Sequence, residues 1–197
     1  MWTCTRLRAQ ALTFVFLIPF GAVAQPVRTA EFTGSAKIGP VKRQVAMRFN
    51  CALDRGKINN LAVEMDIPDA EKFKSLFDVT PFEGPGALSG KMHLTVAAAS
   101  SGAQVDLGST GSFGNNGAPG TTFTFEAAVT PSSRSQLQKL QALAAALSQD
   151  KNKWLWRIEN PAKGRPAIEA VADLTKGDAS RLQAAVAGCR ALSRKLD

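Results

Sequence analysis

Side chains able to do acid–base, nucleophilic or metal chemistry are sparse in this chain. Its 197 residues hold one histidine, His93, and three cysteines. His93 falls on the polar side of a strand-like segment beside Lys91 and Thr95, where an exposed surface histidine is the plain expectation. A transition-metal site there would have to rely on carboxylates, since no second histidine is present. The chain has no nucleophile elbow, no H-E-x-x-H, no phosphate loop and no EF-hand loop. Glu64 and Asp66 are the best-spaced carboxylates, with Asp54 at the adjoining turn. Alternate residues of a strand lie roughly 6.6 Å apart on one face, within the ~5 to 9 Å that glycosidase carboxylates need. Nothing in the sequence marks either as buried, so solvated sheet surface is expected for both.

Cys51 and Cys189 carry the firmest chemical expectation. Cys51 shares the apolar side of a strand with Phe49 and Leu53, and Cys189 lies on the apolar stripe of the last helix. No C-x-x-C is present, and a redox role would need an exposed thiol of low pKa. A structural disulfide is therefore predicted, closing roughly 138 residues and contributing about 5 kcal/mol by the chain-entropy estimate. Gly188, next to Cys189, costs about 1 kcal/mol inside a helix and is expected to let the helix backbone approach the sheet.

The candidate binding surface has three parts. Trp154 and Trp156 alternate on one strand face with Ile158. Core packing is the ordinary outcome of that pattern, but left uncovered the pair would make an apolar platform beside Arg157, suited to a protein, glycan or lipid-like ligand. Phe82 stands alone among proline and glycine in the loop of residues 78–87, and Asn115 and Asn116 sit in the glycine-rich loop of residues 108–121. Glycines recur there every third position, too few to sustain a triple helix, and a mobile hairpin loop is expected.

Compartment follows from the first residues. Arg6 and Arg8 precede the apolar run Leu12–Phe20, and Ala22-Val23-Ala24 forms a small-x-small cleavage signal. The run is too short to span a bilayer, which takes about 20 residues. A signal peptide over 1–24 is predicted, leaving 25–197 as the mature chain with no integral membrane span. Cleavage removes two arginines and no acid, taking the net charge from +8 to +6. A basic exported protein is drawn to anionic polymers, lipids or acidic proteins. Export also lets a disulfide persist and keeps the chain away from nucleic acid.

The elements that position these residues are legible from periodicity. Strands are expected over Ala30–Ile38, Val45–Leu53, Leu61–Ile67, Met92–Val96 and Phe123–Val129, then Trp154–Ile158 and Ile168–Leu174, with a short partner strand near Val105. Amphipathic helices are expected after an Asp69 cap, after Thr130 or Ser133, and after an Asp178 cap. The class is α+β: a mostly antiparallel sheet of seven to eight strands with three amphipathic helices packed on one face. It reads as a single domain, divisible into 28–129 and 130–197. Strand, turn, strand, Asp cap and helix occur in both Val45–Phe77 and Trp154–Leu196 at an offset of 109 positions, a weak sign of duplication.

With neither a nucleophile–base pair nor a metal-ligand cluster, the sequence favours binding over catalysis and implies no cofactor. The leading expectation is an exported, periplasmic or extracellular, non-enzymatic binding or adaptor protein whose partner is an envelope protein, a glycan or an apolar ligand. An inhibitor or immunity-type protein acting on a secreted hydrolase is the first alternative. An envelope hydrolase with a carboxylate-based site is the second.

Overall fold

The computed structural model of the chain describes residues 27–84, 91–114, 121–149 and 152–190. The expected leader, Asn115 and Asn116 lie outside the described residues. Strands β1 (Val27–Ile38), β2 (Val41–Asp54), β3 (Lys57–Ile67), β4 (His93–Ala98), β5 (Ala103–Gly108), β6 (Thr110–Phe113), β7 (Phe123–Val129), β8 (Lys153–Ile158) and β9 (Ile168–Asp173) form one sheet. Helices α1 (Arg134–Leu147) and α2 (Lys176–Arg190) complete the fold. Strand order is β5-β4-β8-β9-β1-β2-β3-β7-β6, and every pairing is antiparallel.

The two ends of that order are adjacent in the chain. β5 and β6 are separated by Ser109 alone, so one extended segment bonds first to β4 and then to β7. Ser109 is buried at this changeover. Its amide donates to the Met92 carbonyl at 2.7 Å, and its hydroxyl donates toward the Glu126 carbonyl at 3.2 Å. The sheet thereby curls until it is nearly barrel-like. Nine strands replace the expected seven to eight because residues 110–113, read from composition as loop, pair with β7. Gly111 makes that pairing possible: a Cβ there would fall on the Phe123 ring and 2.9 Å from the Thr124 carbonyl oxygen.

Alternation assigns the faces. Phe32, Met47, Phe49, Met65, Phe125, Trp156 and Ile158 point inward from their strands and are buried. The buried stripes of the helices, Leu140, Leu143 and Leu147 on α1 and Leu182, Val186 and Cys189 on α2, complete the same cluster. α1 packs over β4 and β5, α2 over β1 and β2, and the helices touch each other. Gln141 on α1 donates to the Cys189 carbonyl at 2.6 Å, satisfying an acceptor that the end of α2 leaves free.

The disulfide joins Cys51 on β2 to Cys189 on α2, with the α-carbons 6.1 Å apart. An added Cβ at Gly188 would lie 2.9 Å from Leu53 Cδ1, so the close approach expected of this glycine is present. The cap of α2 differs from expectation. Thr175 Oγ1 accepts from the Asp178 amide at 3.2 Å, and Asp178 accepts from the Thr175 amide at 2.8 Å. This is a reciprocal capping box with Thr175 as the cap. Burial opposes ionisation of Asp178, but the Thr175 bonds and Arg181 outweigh it and hold the carboxyl below its usual range.

The third expected helix is a single 3-10 turn, Ala70–Phe73. Asp69 adopts a left-handed backbone, φ 55°, and makes no side-chain cap. Its carboxylate instead accepts from Lys72 at 2.9 Å. Phe73 and Phe77 are nonetheless buried, so the apolar spacing was real although the helix was not. Among the described residues no helix is long and apolar enough to cross a membrane.

Candidate functional site

The outer face of the sheet holds two contrasting constructions. The first is a polar cluster on β1, β2, β3 and β7. Arg48 donates to both oxygens of Asp66 at 2.8 Å and through Nε to Glu64 at 2.9 Å. Asn50 donates to Glu64 at 2.6 Å, and the Thr124 hydroxyl donates to Asp66 at 2.7 Å. Arg48 and Asp66 are buried, so the expectation of solvated surface for this carboxylate pair is corrected. Burial works against the Arg48 charge, but the hydrogen bonds and charges of Asp66 and Glu64 raise its pKa further. The guanidinium stays ionised. Both carboxylates are thereby committed to one arginine, the geometry of a structural ion cluster. Glu126 stands directly opposite Glu64 in the ladder, and burial followed by the charge of Glu64 pushes its carboxyl upward.

The second construction is a furrow on the opposite part of the outer face, an open hollow of about 630 Å³ over β2, β1, β9, β8, β4 and β5. Strand register explains it. Gln104, Ala97, Leu155, Val171, Ser35 and Gln44 stand side by side on consecutive strands. Ala97, Val171 and Ser35 are short, so the middle of the row is low, and the row spans roughly 24 Å at a strand spacing of ~4.8 Å. The neighbouring row on the same face is Asp106, Thr95, Arg157, Glu169, Lys37 and Lys42, largely long and charged. The furrow is a trough of small and apolar residues bordered by a charged bank. A second hollow of about 420 Å³ continues it past Ser35, Lys42 and Val171.

Charges along the bank are unequally satisfied. Arg157 donates to Glu159 and to Glu169, each at 2.5 Å. Glu159 and then Glu169 hold its guanidinium more firmly protonated. His93 lies 3.3 Å from Asp106, and Lys153 pairs with Asp173 at 2.8 Å on the far side. Lys37 and Lys42 face each other across β1 and β2. Among the described residues neither has an ion-pair partner, and Glu169, beside Lys37 in the register, is taken by Arg157. Like charges directly opposed on a sheet are destabilising.

The residues singled out from sequence are dispersed. Trp154 and Trp156 are 0% and 2% exposed and meet in an edge-on pair at 5.5 Å. Trp154 also packs against Phe32 and Phe49, each at 5.7 Å. The core packing expected of this pattern is therefore what the structure shows, and the alternative surface platform does not form: both indoles face the core, and their N–H groups are buried without an acceptor among the described residues. Phe82 is buried against Phe125 at 5.0 Å, because residues 80–82 form a 3-10 turn that folds it inward. Arg157 alone of these borders the furrow with its side chain. Leu155, between the tryptophans, is 36% exposed and forms the furrow's apolar centre with Val171. Its signal was in the sequence: Lys153-x-Leu155-x-Arg157 and Glu169-x-Val171-x-Asp173 each place an apolar residue between charges on the outward face. The described residues hold no cluster of three or more His, Cys, Asp or Glu able to bind a metal ion.

Comparison of the chain with protein-family models, with curated proteins and with solved structures returned no match.

Proposed function

We propose that this chain is an exported cell-envelope (periplasmic) binding or adaptor protein without catalytic chemistry, and that the furrow is its binding surface. The observation that carries the reading is the furrow itself. Leu155 and Val171 meet in register on the outer face, beside two lysines that have no carboxylate partner among the described residues. An exposed apolar centre with a polar border is the usual anatomy of an interaction site. The leader-like N-terminus and the Cys51–Cys189 bond support an oxidising compartment. The carboxylates best placed for hydrolysis are held by Arg48, which supports binding over catalysis.

Native isolation of the tagged protein from the envelope tests this directly, with Leu155→Glu as the control. The expected result is a bound macromolecule or small molecule that is lost from the variant while its thermal unfolding is unchanged. A clean monomer from the wild type, or retention by Leu155→Glu at full yield, would contradict the reading.

A further inference from the structure

The occupant of the furrow has a chemistry that its charges and floor specify. We infer that it is an extended acidic peptide segment of a partner protein, seated with a carboxylate between Lys37 and Lys42 and an apolar side chain on Leu155 and Val171. This rests on the furrow being the binding surface.

The carboxylate end follows from the lysine pair. Directly opposed residues on a sheet have Cβ atoms about 4.5–5.5 Å apart, so one carboxylate reaches both ammonium groups. It would relieve the repulsion that the pair imposes on the free protein, which Glu169, opposite Lys37 but bonded through one oxygen to Arg157, offsets only in part. The apolar end follows from the register. The Leu155–Val171 pair on β8 and β9 lies two strand spacings across and one row along from the lysine pair on β1 and β2, roughly 12 Å in all. Alternate side chains on one side of an extended chain repeat every ~7 Å. An acidic and an apolar residue two or four positions apart therefore match the two subsites, the flexible lysine stems taking up the difference. Ser35 and Gln44 beside the lysine pair, and Thr95 and Gln104 beyond Leu155, offer donors and acceptors suited to a peptide backbone.

Other occupants fit less well. Sugar rings are held by aromatic faces, and Trp154, Trp156 and Phe32, the rings nearest this part of the sheet, all point into the core. A single acyl chain would find only Ala97, Leu155 and Val171 as apolar floor in a trough open to water, leaving most of its surface hydrated.

The test is selection of short random peptides on the oxidised protein, followed by affinity measurement with the enriched sequence. Polygalacturonate and phosphatidylglycerol vesicles serve as the competing polyanion and lipid probes. Enriched peptides are expected to carry Asp or Glu two or four positions from a large apolar residue. Affinity is expected to fall on the order of tenfold in the Lys37→Ser/Lys42→Ser double variant and with added salt, and also in Leu155→Ser, but not in Lys74→Ser on another surface. Enrichment without an acidic residue, or equal affinity in the double variant, would overturn the inference. Binding of polygalacturonate or vesicles that depends on Leu155, with no peptide selected, would overturn the peptide while leaving the furrow as the binding surface. Peptides that bind equally well to every furrow variant would overturn both.

Discussion

At the residue scale, two arginines on equivalent outward positions do opposite things. Arg48 and Arg157 each face a glutamate across a hairpin, yet Arg48 is buried and Arg157 lies in solvent. Removing the buried partner should be costly, since Asp66 would keep a buried charge with Thr124 as its remaining donor. Arg48→Met is expected to lower stability by about 3–5 kcal/mol in urea denaturation at neutral pH, and a loss below about 1 kcal/mol would contradict the structural role given to the cluster. Glu126 gives a pH signature of the opposite sense. Its folded pKa lies above its ordinary 4.5. Well below pH 4.5 the carboxyl is protonated in both states. As pH rises the unfolded chain ionises first, and the folded state loses stability until its own carboxyl ionises. Glu126→Gln is therefore expected to match the wild type in acid and to exceed it at pH 7. Thermal melts across that range showing a constant difference would refute the assignment.

At the scale of elements, the seam between β5 and β6 decides whether the sheet stays flat or curls. Ser109 bonds to both neighbours, and Gly111 admits the Phe123 ring against the strand backbone. Gly111→Ala should destabilise the fold by about 1–3 kcal/mol, as overpacking against backbone does. By contrast, at Gly188 the nearest atom is the end of the Leu53 side chain, which can rotate, so Gly188→Ala should cost less in the same melts. An equal or larger loss at Gly188 would count against the seam as the tighter contact. Periodicity made most elements legible because burial alternates cleanly along β8 and most of β1, and large apolar residues recur at every second position over Val45–Leu53 of β2 and Leu61–Ile67 of β3. It failed where local chemistry and tertiary pairing part company. Residues 110–113 read as loop because their strand character depends on β7. The Ala70–Phe73 turn read as a helix because Phe73 and Phe77 are both needed by the core. The Cys51–Cys189 bond was legible because both cysteines fell on apolar faces. The furrow was not, because it exists only when outward residues of six strands are aligned by register.

At the scale of the molecule, the described residues enclose an apolar inside covered by α1 and α2, and the outer face carries an ion cluster around Arg48 and a furrow bordered by two lysines. The cluster holds strands together. Lys37 and Lys42 of the furrow have no ion-pair partner among the described residues, whereas Arg48 holds both carboxylates of the cluster, and that contrast is why the furrow is proposed as the binding surface. Hydrogen–deuterium exchange of the oxidised protein, alone and with the partner recovered from the envelope, tests it most directly. Protection confined to the β1, β8 and β9 segments that line the furrow is the result predicted. Protection centred instead on residues 80–84 and 110–114, with the furrow strands unchanged, would contradict it and favour a loop-inserting inhibitor.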